Sequence, residues 1–97
     1  MPEVWIPTQM LSLTGGKKQT RVSGSTIRQV VNNLELEFPG IKARLCDEEG
    51  DLLSGIAVII DGETSQLGLL ERVQEDSEVH FLPAIGGGGA RSWGLSA

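Results

Sequence analysis

The sequence predicts an α+β fold: a mixed sheet of four to five strands with one main helix packed on one face. Three observations lead there. An apolar stretch near the start is followed by a glycine turn and a second extended segment, the pattern of a hairpin. One apolar stripe at helical spacing follows, over residues 27–38. Two later β-rich runs, residues 56–60 and 79–85, then supply strands that can only join the same sheet.

In chain order, residues 4–11 read as the first strand, with Val4, Ile6 and Met10 on one face. Pro7 has no N–H to give a ladder, so it is expected at a bulge or at a position without a neighbour. Thr14 to Lys18, T-G-G-K-K, is a turn with both lysines solvated, and residues 19–22 return as the second strand. Ser25 is placed to cap the helix. Ile27, Val30, Val31, Leu34 and Phe38 form its buried stripe, and Pro39-Gly40 ends it. Residues 41–45 read as a short helical turn.

Residues 46–51, C-D-E-E-G-D, form an acidic loop that lacks the regular alternation and distal glutamate of a calcium loop, so it reads as a solvated turn. The β-branched run I-A-V-I-I, residues 56–60, suits a central strand buried on both sides, or nearly so. Asp61-Gly62 turns it. Leu67, Leu69, Leu70 and Val73 belong to a loop with a short helical turn that closes the core. In the last strand Val79 and Phe81 share one face, and His80 points outward to the surface. This strand can pair parallel with the first, both near the middle of the sheet. That is the β-grasp, or ubiquitin-like, arrangement. The chain divides into residues 1–85, the domain; 86–89, a glycine tail; and 90–97, a C-terminal extension.

Composition excludes several functions. Ninety-seven residues make one domain, large enough for a core of its own. A net charge of −5 opposes nucleic-acid binding, which needs an excess of Lys and Arg. One cysteine, Cys46, forbids an internal disulfide; with one histidine it leaves no ligand set for structural zinc. Cys46 is expected as a half-buried apolar group. No signal peptide or membrane span is visible, so the expected location is cytoplasmic. No nucleophile motif surrounds His80 or Cys46, and the glycine run is not followed by the Lys-Ser/Thr helix start of a phosphate loop. No catalytic or metal-binding residue is assigned.

What remains is I-G-G-G-G-A-R-S-W-G-L-S-A, which begins where the last strand ends. Four glycines cannot pack a core and lose the most freedom on ordering. They are either a loose linker or a backbone that must pass through a narrow space.

The residues I-P-T (Ile6 to Thr8), L-T-G-G (Leu13 to Gly16), F-P-G-I-K-A-R-L-C-D (Phe38 to Asp47) and F-L-P-A-I-G-G-G (Phe81 to Gly88) resemble the MoaD/ThiS family of ubiquitin-like sulfur carriers. The first and last lean toward the carriers of cysteine biosynthesis. The resemblance implies a protein substrate, not an enzyme. An E1-like adenylyltransferase/sulfurtransferase would adenylate the terminal glycine with ATP, and sulfur would then replace AMP to leave a thiocarboxylate for a sulfur-accepting synthase. The carrier itself holds no cofactor. Matched through Phe81 to Ile85, Gly87 and Gly88 take the diglycine positions and Gly88 is the site of adenylation. Gly86, Gly87, Gly88 and Gly89 are the tail that enters the partners.

The family pattern ends at a free diglycine, whereas here Gly88 is in peptide linkage and residues 89–97 follow. The expected form is therefore a precursor, with a metallopeptidase cutting after Gly88. The sheet face is the expected docking surface, with Trp5, Ile59 and Leu82 as its apolar candidates. Two other readings remain open: the small subunit of molybdopterin synthase, and a non-catalytic β-grasp interaction module that keeps its tail.

Overall fold

The computed structural model describes residues 1–83. Five strands form one sheet: β1 (Glu3–Trp5), β2 (Gln19–Arg21), β3 (Ile56–Ile60), β4 (Glu63–Thr64) and β5 (Glu78–Pro83). Their order across the sheet is β2-β1-β5-β3-β4. β1 pairs antiparallel with β2 and parallel with β5, and β3 pairs antiparallel with β5 and β4. The hairpin and the parallel pairing of first and last strands are as the sequence predicts. Helix α1 (Ile27–Glu37) packs on one face, and α2 (Ile41–Leu45) follows it.

The core joins the stripe of α1 to alternate strand residues. Ile27, Val30, Val31 and Leu34 are buried against Val4, Val58, Val79 and Phe81. Phe38, which closes the stripe, is partly buried against the same cluster. Ile41 and Leu45 of α2 are buried there too.

Several local expectations need correction. The first strand stops at Trp5, and residues 8–13 form a 3-10 segment, Thr8–Leu13. Pro7 has no N–H for the ladder, and its carbonyl instead accepts the Met10 N–H at 2.9 Å. Ile6 and Met10 are buried beside Val4 even so. The cap of α1 is Thr26, one residue later than expected: its Oγ1 accepts the Gln29 N–H at 3.3 Å. Ser25 instead donates from its N–H and hydroxyl to Gln29 Oε1, at 2.8 and 3.0 Å, which completes a reciprocal cap.

β3 is less buried than expected: Val58 is buried and its four neighbours in the strand are half-buried. Asp61-Gly62 forms the predicted turn, with φ of 51° and 88°, which is the left-handed pair of a tight hairpin. That turn leads into β4, a strand too short for periodicity to show. Leu69 and Val73 enter the core, whereas Leu67 and Leu70 are exposed. Cys46 is buried rather than half-buried, and burial pushes its thiol pKa up, which disfavours the reactive thiolate.

Candidate functional site

The expected tail, Gly86 to Gly89, and its adenylation residue, Gly88, lie outside the described residues. So do residues 84–85 of the expected strand and the extension 90–97. What the structure describes is the strand that leads toward the tail. β5 lies in the middle of the sheet, held by β1 on one side and β3 on the other. Its Val79 and Phe81 are buried at 0% and 2% exposure. Its last described residue, Pro83, is in register with Ile56. Pro83 has no N–H to donate to the ladder. The segment that follows is thus joined to a strand paired on both sides.

The three docking candidates fall on one surface. Trp5 lies opposite Gln19 on β2 and His80 on β5, His80 lies opposite Ile59 on β3, and Ile59 lies opposite Thr64 on β4. This row crosses all five strands on the face away from α1. Leu82 sits two residues beyond His80, on the same face and opposite Ala57, and is 41% exposed. Trp5 and Ile59 are half-buried. Trp5 and His80 stack, with ring centroids 5.3 Å apart and planes 7° from parallel. His80 Nε2 is 4.0 Å from Glu78 Oε1, and Gln19 Nε2 donates to Glu3 Oε2 at 2.8 Å.

Sequence reading placed His80 on the surface but gave it no part in this patch. Its signal was available: parallel pairing of β1 and β5 sets Trp5 beside His80 once the register is known. A groove of about 350 Å³ adjoins the stack, lined by Trp5, Pro7, Thr8, Gln9, His80 and Leu82 among others. It flanks the end of β5. A second groove, of about 410 Å³, lies near the start of β5 and is lined by Asp61, Glu63, Glu71 and Arg72 among others.

The acidic loop explains itself locally. The carboxylates of Asp47, Glu49 and Asp51 lie within 4.8 Å of one another and are exposed. Asp47 Oδ1 accepts the N–H groups of Glu49 and Asp51 at 2.9 and 3.0 Å, so this carboxylate closes its own turn. No described helix is long and apolar enough to cross a membrane.

A parallel first–last strand pair, a helix across one face and a central final strand define a ubiquitin-like β-grasp protein. The chain belongs to the ThiS family, which it matches over residues 4–88. It is 34% identical over 89 residues to the sulfur carrier protein CysO of Mycobacterium bovis and of Mycobacterium tuberculosis, covering 88% of this chain and 96% of the relative. Among solved structures, the Amycolatopsis orientalis complex of BexX and CysO matches with a TM-score of 0.83 and 34% identity, over 91% of this chain and 100% of the other. Mycobacterium tuberculosis CysO matches with a TM-score of 0.81 and 31% identity, over 88% of this chain and all of the other. The small archaeal modifier protein 1 of Methanosarcina acetivorans shares the fold, with a TM-score of 0.74 at 22% identity over 90% and 95% of the two chains. These curated relatives are carriers rather than catalysts.

Proposed function

We propose that this protein is a sulfur carrier of the cysteine-biosynthesis type, acting after residues 89–97 are removed. The observation that carries the reading is that the family match ends at Gly88, nine residues before Ala97. The domain up to Pro83 holds the chain in the central strand, and Gly86, Gly87 and Gly88 then extend at most roughly 10 Å, at 3.3–3.6 Å per residue. Glycine lets the backbone enter a channel that side chains would block.

In this reading a metallopeptidase cuts after Gly88 and frees its carboxylate. The carboxylate attacks the α-phosphorus of ATP, pyrophosphate leaves, and an acyl-adenylate forms. Hydrosulfide then attacks the acyl carbon and loses its proton, AMP leaves with the electrons of the broken C–O bond, and the thiocarboxylate results. The E1-like adenylyltransferase/sulfurtransferase docks on the row Trp5–His80–Ile59 with Leu82 at its edge. The thiocarboxylate then serves a sulfur-accepting synthase. In the full-length chain Gly88 is an amide carbonyl, which has no carboxylate to activate. The extension therefore keeps the carrier unreactive until it is cut.

The test is ATP–pyrophosphate exchange with an activating enzyme from the same cell. The chain ending at Gly88 should support exchange, and the 97-residue chain should not. If neither supports it, the protein is an interaction module that keeps its tail.

A further inference from the structure

We propose that the C-terminal extension docks back on the domain, with the Trp93 side chain seated in the groove beside Trp5 and Leu82, and so covers the outward face until the extension is removed. Four observations place that occupant there. First, the groove of about 350 Å³ is walled by Trp5, Pro7, His80 and Leu82, which makes it an apolar slot of a size that suits an indole ring.

Second, the indole Nε1–H of Trp5, which borders this groove, is buried with no hydrogen-bond partner among the described residues. Buried indole N–H groups ordinarily find an acceptor. The carbonyls of a glycine-rich segment can approach such a donor closely, because no Cβ stands in the way.

Third, the groove lies beside the last described residues of the final strand. Leu82 lines it, and its far wall at His80 is only three residues, roughly 10 Å, back from Pro83 along the strand. Trp93 follows Pro83 by ten residues, a maximal reach of roughly 33–36 Å. Four glycines between them allow the chain to reverse. Trp93 is the only aromatic residue after Phe81.

Fourth, the charges complement one another. Residues 84–97 carry a single charged side chain, Arg91. The outward face bears Glu3 and Glu78 side by side in register, with Arg21 across from Glu3. Arg91 is two residues from Trp93, as Glu78 is two residues from His80. Glu78 Oε1 lies 4.0 Å from His80 Nε2, just beyond the wall of the slot, so the extension would bring its cation toward carboxylates that neighbour the slot its tryptophan fills.

The consequence for activation rests on the carrier reading: the face proposed for the activating enzyme is held by the chain's own tail until the peptidase acts. The contact itself does not rest on that reading. The test reads the two indole N–H signals of the 15N-labelled 97-residue protein by nuclear magnetic resonance, in the native chain and in Trp93→Ala. Trp93→Ala should shift the Trp5 signal and speed its exchange with water by about tenfold or more. Cross-relaxation between the Trp93 ring and Leu82 should be present in the native chain at every protein concentration. An unchanged Trp5 signal in Trp93→Ala overturns the proposal. Cross-relaxation that vanishes on dilution overturns it too, because the contact would then join two copies. Neither readout uses ATP or sulfur, so failure of the contact is distinct from failure of the carrier reading.

Discussion

The two faces of β5 do different work with adjacent residues. Val79 and Phe81 point into the core and are almost completely buried, while His80 between them is half-buried and Leu82 beyond them is 41% exposed. The same strand is thus the anchor of the domain on one side and part of an apolar surface on the other. Period-2 alternation makes this separation automatic: substitutions on one face are felt as stability and on the other as recognition. A carrier needs both, because its terminus must stay attached to a rigid domain while several partners handle it.

The comparison can be tested from both sides. Phe81→Ala removes the largest fully buried side chain and should cost about 3–5 kcal/mol, read by urea unfolding. Retention of wild-type stability would mean that the inner face is not the anchor. Gly24→Ala, just before α1, should cost about 1–3 kcal/mol. A Cβ there would lie 2.9 Å from the Val30 backbone nitrogen, and the residue has a φ of 149°.

On the outer face the expected result is different in kind. Leu82→Asp should leave stability within about 0.5 kcal/mol of the parent. It should weaken binding of the processed chain to its activating enzyme about tenfold, or roughly 1.4 kcal/mol. A large loss of stability instead would make Leu82 a core residue and dissolve the distinction.

The smallest effect belongs to the junction of α1 with α2, where a side chain of α1 accepts the first backbone donors of α2. The Glu35 carboxylate accepts the Lys42 N–H at 2.8 Å and the Gly40 N–H at 3.0 Å. These backbone donors, Lys42 first and then Gly40, hold its pKa below the ordinary glutamate value. A depressed carboxyl pKa adds stability that is complete above the unfolded-state value and is lost as pH falls through the folded one. Glu35→Gln should lower the melting temperature slightly at neutral pH. The difference from the parent should shrink to nothing in acid, and a difference that grows in acid would contradict the assignment.

The sequence made the α1 stripe, the Asp61-Gly62 turn and the alternation of β5 legible, because each is set by residues close together in the chain. The 3-10 segment after Pro7 was not. Its apolar residues Ile6 and Met10 satisfy a strand period as well as the observed turn, and Pro7 decides between them by withholding an N–H. The two residues of β4 are too few for any pattern. The Trp5–His80 stack depends on register between strands more than 70 residues apart, which no local signal carries. The docking candidates were readable as outward-facing apolar residues, but the row that unites them came only with the pairing. The glycine tail was readable through its residues and its family likeness, and it lies beyond the described part of the structure.

Whether Gly88 is a carrier terminus released from a precursor is read most directly from the intact mass of the protein isolated from its native cell. A species ending at Gly88, part of it with one oxygen replaced by sulfur, is expected. A single species ending at Ala97 under every growth condition would contradict this release.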